Sequence, residues 1–474
     1  MCMLPLTSYA QFTKGLSYRA ETGVSFSGGE HMPFWLTANK QGLSSIEKNN
    51  GYLRAGVFRE LEKDKPFSYA FGADLAVAYN FTSTFVVQQL YADLKYRYLG
   101  VSIGSKERYS EFNNPLLSSG GLTFSGNARP IPQVRIGIPE YTLVPGTKGW
   151  LAFKGHIAYG MFTDDGWQKD FVAPGGKRTE HVLYHSKDLY VKIGNKEKFP
   201  LIFEGGLEMA AQFGGNAFRG NEKIDMPNGI KDFFKVFIPS GGSSDTPMGE
   251  QTNIYGNHLG SWNFSLTWYA SQDWTVRPYY EHYFEDHSQM FGEYGWKDCL
   301  AGVEITLPKN PVIGSFVYEY ISTKDQTGPV YWDHTPEIPE QVSGADNYYN
   351  HGIYTGWQHW GMGIGNPLVM SPVYNEDGDI SFKSSRMQGH HFGIIGNLCG
   401  DLQYRILLSV TRNWGTYNLP FYEIKKNGNA LAELKYTPHT LEGWDFTASL
   451  GIDRGAMLGK SVGGMLTLRK TGWI

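Results

Sequence analysis

Strict alternation of apolar and polar residues is the feature that most constrains this chain. In SWNFSLTWY, residues 261–269, every second side chain from Trp262 to Trp268 is aromatic or aliphatic, and serine, asparagine and threonine fill the other positions. A period of two indicates a β-strand, because successive side chains of a strand point to opposite faces of the sheet. The same alternation recurs in residues 69–79, 90–98, 402–410 and 444–452. Alternation alone fits both a soluble sandwich and a membrane barrel.

Strand length and loop order favour the barrel. Many segments run about ten residues, which is the length that a tilted strand needs to cross a bilayer, and together they give roughly eighteen strands. Short connections fall near residues 62–66, 98–101, 195–199, 270–274, 307–311, 397–401 and 437–443. Long ones alternate with them at residues 28–49, 106–132, 163–180, 214–258 and 322–385, although residues 80–84 and 454–460 break this order. The chain is therefore predicted to be an all-β, antiparallel, transmembrane β-barrel of a Gram-negative outer membrane, with long extracellular loops.

Composition agrees with this class. The 474 residues include 30 Tyr, 28 Phe, 13 Trp and 58 Gly, and only 19% are charged, which suits aromatic strands joined by glycine-containing turns. A net charge of -4 without a basic stripe argues against nucleic acid as a partner. No stretch of ~18 apolar residues occurs, which excludes a helical membrane span. Three cysteines are too few for a disulfide framework, and Cys299 and Cys399 are expected to be unpaired, partly buried thiols.

The start of the chain predicts its domain organisation. MCMLPLTSYAQF has a small-x-Ala pattern at Ser8 and Ala10 that resembles a signal-peptidase site, although most of the charged and apolar parts of a signal peptide are missing. We interpret residues 1–10 as the remnant of a truncated signal peptide, and a disordered start is the alternative. Residues 11–474 are predicted to form a single barrel domain.

One short helix is predicted inside the connection of residues 214–258. In NGIKDFFKVFIP the apolar residues Ile230, Phe233, Phe234 and Phe237 have helical spacing, Asn228 is placed to cap the start, and a proline follows the end. So short a helix is marginal alone. We expect it to dock on the barrel wall or in the lumen.

No catalytic or metal-binding constellation is specific enough to predict an enzyme. The chain has no GxSxG, HExxH, P-loop or CxxC pattern. NEDGD, residues 375–379, lacks the glycine position and closing glutamate of a calcium loop. Acid pairs at 164–165 and 376–377, and histidine pairs at 390–391 and at His351 with His359, are weak candidates for glycosidase carboxylates and metal ligands. We therefore predict no enzymatic activity, no metal and no cofactor.

The candidate binding residues concentrate in the long loop of residues 322–385. Aromatic and histidine side chains stand there among amides and acids, without the aliphatic periodicity of a core. Flat rings beside polar groups suit sugars, whose C–H faces stack while their hydroxyl groups take directed hydrogen bonds. The alternative is that the aromatic residues pack the loop onto the barrel mouth. The candidates are Trp332, Tyr348, Tyr349, Tyr354, Trp357, His359 and Trp360.

A second candidate segment is GNARPIPQVRIGIPEY, residues 126–141. Two prolines one residue apart push the chain toward an extended polyproline conformation and remove backbone donors. This stiff segment is expected to cross or cover the lumen and to present Asn127, Arg129 and Arg135 to an acidic or hydroxyl-rich glycan. The alternative is a rigid lid that only closes the pore.

Three segments resemble a known family. They are MPFWLTANKQG (residues 32–42), SSGGLTFSGNARPIPQVRIGIPEY (118–141) and DNYYNHGIYTGWQHWGMGIGNP (346–367), and they are similar to segments of the Wzi-type capsule-assembly outer-membrane proteins, in the form found in Bacteroidetes. The resemblance implies an eighteen-stranded barrel that holds capsular polysaccharide at the cell surface as a lectin. Relatives from other phyla carry a periplasmic helix bundle, for which residues 230–237 are the only candidate here.

The function expected from these observations is binding of capsular or exopolysaccharide in support of capsule assembly and attachment. The expected partners are that polysaccharide, outer-membrane lipid and the capsule export machinery. A diffusion channel and a glycan-active enzyme are the alternatives.

Overall fold

The protein is a closed antiparallel β-barrel. The computed structural model describes residues 15–62, 64–238, 255–270, 274–285, 290–291, 295–308, 310, 312–329 and 344–474. Within them, eighteen strands form one sheet, and the sheet closes because β1 (Leu16–Gly29) pairs with both β2 (Asn49–Arg59) and β23 (Gly459–Trp473). The other barrel strands are β3 (Phe67–Tyr79), β4 (Phe85–Tyr96), β5 (Leu99–Ser105), β6 (Gln133–Leu143), β7 (Leu151–Met161), β9 (Leu183–Ile193), β10 (Leu201–Phe213), β13 (Asn257–Tyr269), β14 (Thr275–Phe284), β15 (Cys299–Thr306), β16 (Ser315–Ser322), β19 (Arg386–Cys399), β20 (Leu402–Gly415), β21 (Pro420–Tyr436) and β22 (Trp444–Gly455). The predicted fold and strand number are confirmed.

Shorter elements lie in the connections between barrel strands. A small sheet contains β8 (Lys177–Glu180), β11 (Asn216–Arg219) and β12 (Glu222–Asp225), and a hairpin contains β17 (Gln358–His359) and β18 (Met362–Gly363). The described helices are α1 (Phe34–Thr37), α2 (Asp165–Phe171), α3 (Ile230–Phe237) and a 3₁₀ turn at Pro372–Tyr374. No helix among the described residues is long and apolar enough to cross a membrane.

The two faces of the wall follow the alternation in the sequence. In β13, Leu266 and Trp268 are exposed on the outside, whereas Asn263 and Thr267 are buried on the lumen side. In β4, Leu94 is exposed and Asp93 is buried. An apolar outer face with a polar lumen is the pattern of a membrane barrel, because lipid is the solvent outside.

The connections sort between the two rims as predicted. We call the rim at which β1 begins and β23 ends the terminal rim, and the opposite one the loop rim. Strands β2, β9 and β15 end at the terminal rim and are followed there by short connections, as is β6, whose turn at residues 144–150 was not predicted from the sequence. The long connections that follow β1, β5, β7, β10 and β16 leave the barrel at the loop rim.

Three loop-rim connections fold inward and fill the lumen. We call residues 30–48, 106–132 and 344–385 together the plug. Their apolar side chains form one core, with Trp35, Leu117, Leu122, Trp357 and Phe382 all almost fully buried. Folding inward buries this apolar surface, which supplies the main stabilisation of such long connections.

Buried carboxylates of the wall hold the plug. Glu281 of β14 accepts the backbone N–H groups of Leu122 and Thr123 at 2.8–3.1 Å. Glu319 of β16 accepts the N–H and hydroxyl of Ser119 at 2.8 and 2.6 Å. These hydrogen bonds compensate the burial of the two carboxyl groups.

Helix α3 has the predicted bounds but differs in its cap and its buried face. Gly229, and not Asn228, is the N-cap, and its backbone N–H donates to Asp232 Oδ2 at 2.9 Å. Ile230 and Phe234 are exposed, so they do not belong to the buried face that the spacing predicted. The helix docks through Phe233 and the fully buried Val236 on the outer side of the wall, which leaves no described helix to act as the bundle of the family.

Two smaller predictions have mixed outcomes. Cys299 and Cys399 are free, as predicted, but Cys299 is buried and Cys399 is exposed. Residues 1–10, which were predicted to be a signal-peptide remnant, lie outside the described residues, so that prediction stays a prediction.

Candidate functional site

The candidate site is built around a tight hairpin in the plug. Strands β17 and β18 are joined by the two residues Trp360 and Gly361, whose φ angles are 57° and 81°. Two consecutive positive φ angles define a type I′ turn, in which glycine is favoured and tryptophan is unusual. The turn therefore presents a large aromatic side chain at its tip.

A buried polar network holds this turn. Asp164, fully buried ahead of α2, accepts hydrogen bonds from the Trp360 backbone N–H at 3.2 Å and from Gln358 Nε2 at 2.9 Å. The Gln358 side-chain oxygen accepts the Gly361 N–H at 2.7 Å. These bonds compensate the strain of a tryptophan at positive φ, which costs on the order of 1–3 kcal/mol.

Trp360 borders a cleft at the loop rim. The cavity has a volume of about 210 Å³. On one side Trp167 and Phe171 of α2 stack with ring centroids 4.8 Å apart, as expected for an i, i+4 aromatic pair on one face of a helix. The cleft is lined by Gly42, Ser44, Ser45, Ile46, Glu47, Asn80, Phe81, Thr82, Trp167, Phe171, Trp360, Met362 and Val373. Aromatic rings beside hydroxyl, amide and carboxylate groups can take a ligand that has both apolar and hydrogen-bonding faces.

The stiff segment of residues 126–132 lies behind Trp360 and supports it. The Arg129 guanidinium sits 4.2 Å from the centre of the Trp360 ring and donates to Thr82 Oγ1 at 3.2 Å. The Arg129 carbonyl oxygen is 2.8 Å from His359 Nδ1, and Asn127 Nδ2 donates to the Gly363 carbonyl at 2.9 Å. Burial lowers the pKa of Arg129 to about 10, against the opposing effect of Asp164, so the guanidinium stays charged at neutral pH. Asn127, Arg129, His359 and Trp360 are thus brought together. Only Trp360 lines the cleft, because Asn127, Arg129 and His359 are 0–6% exposed and bond within the protein, so the prediction that they face a glycan is wrong.

Four of the candidate aromatic residues do not form an accessible platform. Tyr348, Tyr349, Tyr354 and Trp357 are each 0–1% exposed. Trp357 Nε1 donates to the Thr123 carbonyl at 2.8 Å, inside the plug core. The sugar-stacking expectation is therefore wrong for these four rings, because packing against the other plug loops covers both of their faces.

The two remaining candidates lie elsewhere. Trp332 lies outside the described residues. Arg135 on β6 does not line the cleft, and its guanidinium approaches Asp188 of β9 at 3.9 Å on the lumen side.

The sequence analysis missed Trp167, Phe171 and Phe81. A signal was present in DDGWQKDF, residues 164–171, where an aromatic pair at i, i+4 follows an acidic first turn. Among the described residues no cluster of histidine, cysteine and carboxylate groups can hold a metal ion, and the His359 ring is bound to the Arg129 carbonyl and to Thr163.

Comparison with known proteins supports the fold. No family model matches the chain, and no curated protein matches it. Among solved structures the chain is similar to Wzi, an outer-membrane protein involved in group 1 capsule assembly in Escherichia coli and a carbohydrate-binding β-barrel, with 11% identity, a TM-score of 0.59, and coverage of 98% of this chain and 86% of that one. Pseudomonas aeruginosa OccK5 gives 9% identity, a TM-score of 0.46, and coverage of 97% and 98%.

The chain is an outer-membrane β-barrel of the Gram-negative type. The apolar outer wall, the sorted connections and the likeness to a solved outer-membrane barrel over 98% of the chain agree on this. At 11% identity the likeness shows the fold alone.

Proposed function

We propose that this barrel binds a capsular or other surface polysaccharide at the cell surface without catalysis, and so supports capsule assembly and attachment. The long loops face the exterior in this account, and the loop-rim cleft is the contact for the polymer. The capsule export machinery is the further partner that such a role requires.

The observation that carries this proposal is the arrangement around Trp360. With Arg129 stacked on its ring, Trp360 forms one wall of the cleft, and Trp167 and Phe171 form another. Aromatic walls stack on the C–H faces of sugar rings, and the serine, threonine and asparagine side chains of the lining are polar groups of the kind that bind sugar hydroxyls. Wzi, a carbohydrate-binding barrel, supports the choice of ligand class.

The two rival functions have weaker support. A diffusion channel needs an open lumen, whereas the plug core and its bonds to Glu281 and Glu319 occupy this one. A glycosidase generally needs two carboxyl groups about the scissile bond. Glu47 is the one carboxylate among the described residues that line the cleft.

The experiment compares capsule retention by cells that carry Trp360→Ala, the double variant Trp360→Ala/Phe171→Ala, or Tyr422→Ala. We expect each lost stacking contact to cost on the order of 1 kcal/mol, by analogy with aromatic pairs. Attachment at many points along a polymer masks a single loss, so the double variant should release the most polysaccharide into the medium.

Tyr422 is the matched control, because its ring is fully exposed near the loop rim and does not line the cleft. The change of gel mobility on heating, measured on the outer-membrane fraction, checks that every variant is folded and inserted. Retention by the double variant at the level of Tyr422→Ala would contradict the proposed site.

A further inference from the structure

Helix α3 lies on the outer wall of the barrel, outside the lumen. It contacts Tyr159 of β7 and Phe213 of β10, with the Phe233 ring centroid 5.1 Å from each. Tyr159 alternates with Ile157 and Met161, which are exposed on the outer face. The Tyr159 hydroxyl also donates to the Phe233 carbonyl at 2.9 Å. The helix is therefore fixed against the membrane-facing side of β7, β9 and β10.

The side of α3 that points away from the wall is apolar. Ile230, Phe234 and Ile238 stand at i, i+4 and i+8, and they are 80%, 70% and 69% exposed. A helix on a water-exposed surface normally turns polar residues outward. Here an apolar ridge faces away from the protein, and the exposed Lys231 lies beside it.

The wall beneath the helix contains a charged side chain that would be unfavourable in direct contact with lipid acyl chains. Lys187 of β9 belongs to the outward-facing positions, which it shares with the exposed Leu189 and Ile193. Its ammonium group donates to the Phe237 carbonyl at the end of α3 and lies 5.0 Å from the centre of the Phe237 ring. A cation at a helix C-terminus is stabilised by the carbonyl groups and the helix dipole. The helix thus covers a polar part of the membrane-facing wall.

We propose that α3 is an interfacial helix seated in the outer leaflet, with lipid acyl chains against the ridge of Ile230, Phe234 and Ile238 and lipid phosphate at Lys231. Lipid is the occupant because the ridge continues the established lipid-facing surface of Ile157, Met161 and Leu189. Short helices with one apolar side and basic residues at its edge bind membranes in this position. This inference is independent of the proposed polysaccharide binding.

The test places a nitroxide spin label on the ridge. The variant Phe234→Cys is made in a background of Cys2→Ser and Cys399→Ser, because Cys399 is an exposed thiol. Labelled protein is reconstituted into vesicles of lipopolysaccharide and phosphatidylethanolamine. Collision with apolar oxygen and with a water-soluble nickel chelate is then measured by electron paramagnetic resonance.

Two labels calibrate the measurement: Leu189→Cys on the lipid-facing wall, and Glu376→Cys in an exposed polar turn of the plug at the loop rim. We expect the ratio of oxygen to nickel accessibility at position 234 to approach that at 189 and to exceed that at 376 several-fold. Ile230→Cys gives a second reading of the same ridge.

Two results would overturn the proposal. A ratio at 234 equal to that at 376 would mean that the ridge faces water. Protection from both reagents, together with dipolar coupling between labels on separate molecules, would mean that a second copy of the chain covers the ridge.

Discussion

At the scale of single residues, the shape of the proposed binding cleft depends on how Trp360 is held. Its backbone occupies a left-handed conformation that asparagine or glycine would adopt more readily. Asp164 and Gln358 hold the turn from below, and Arg129 stacks on the ring. A strained residue that the surroundings fix in place is typical of binding sites, where pre-organisation reduces the entropy lost on binding.

The neighbouring glycine gives a prediction at this scale. Gly361 has φ 81°, and a Cβ there would lie 2.6 Å from Trp167 Cζ2. We expect Gly361→Ala to displace Trp167, at a cost of about 1–3 kcal/mol for the strained turn, and to weaken polysaccharide binding while the barrel stays folded. Near-ultraviolet circular dichroism reports the change in the aromatic stack.

Gly352→Ala in the same loop is the control, since a Cβ at Gly352 meets nothing within 4 Å. Equal circular dichroism spectra and equal polysaccharide binding of Gly361→Ala and Gly352→Ala would contradict a role for the packing of Trp167 on the turn.

At the scale of elements, the plug is the part of the molecule that fills the lumen of the barrel. Its loops have almost no regular secondary structure, and they are ordered by one another and by the wall. Glu281 and Glu319 together accept backbone and hydroxyl donors from residues 118–123. Since each carboxylate is fully buried on the wall, removal of either leaves several donors without an acceptor.

We therefore expect Glu281→Ala/Glu319→Ala to loosen the plug. A buried donor left without its partner costs roughly 1–3 kcal/mol, so the loss of this set of acceptors should let the loops leave the lumen. Planar-bilayer recordings should show frequent large openings for the double variant and a quiet baseline for the unaltered protein.

Glu204→Ala is the matched control. Glu204 is also a lumen-side carboxylate, but it pairs with Lys192 of the wall at 3.3 Å and not with the plug. Large stable currents from the unaltered protein would contradict the account of a filled lumen.

The barrel strands could be predicted from the sequence, whereas the plug could not. Alternation is local, so Leu266 and Thr267 show their opposite environments within a few residues. The burial of Trp357 depends on the Thr123 carbonyl 234 residues away, and no local pattern encodes that contact. Aromatic residues in a loop have the same composition whether they pack a core or line a cleft. Trp357 and Trp360 were therefore both predicted to stack on sugars, but Trp357 is buried in the plug core and Trp360 lines the cleft.

At the scale of the whole molecule, the closed sheet separates the lipid outside from the lumen inside. The outer wall faces lipid, and the lumen side faces the plug and a charged chamber of about 350 Å³ lined by Arg19, Glu21, Arg54, Glu433 and Thr467, among others. Closure of β1 onto β23 leaves no sheet edge within the bilayer. The loop-rim cleft thus stands on a rigid frame.

A neighbouring pair of residues tests this separation. Leu466 is exposed at the centre of β23, and Thr467 lines the chamber. Leu466→Arg should destabilise the folded barrel by about 2–4 kcal/mol if it lies near the bilayer midplane, whereas Thr467→Arg has room in the chamber. Urea unfolding in lipid vesicles measures the free energy of unfolding of both variants. A larger decrease for Thr467→Arg than for Leu466→Arg would mean that Thr467 faces lipid and Leu466 faces the lumen.

The central claim is that the cleft between Trp360 and α2 binds the polysaccharide. The most direct measurement is calorimetric titration of detergent-purified protein with polysaccharide extracted from cells that make it, comparing the unaltered chain, Trp360→Ala/Phe171→Ala and Tyr422→Ala. We expect saturable binding by the unaltered chain and by Tyr422→Ala. For the double variant we expect the free energy of binding to be less favourable by about 2 kcal/mol, which is the sum of two stacking contacts. Equal affinity of all three proteins, with the double variant folded, would contradict the claim.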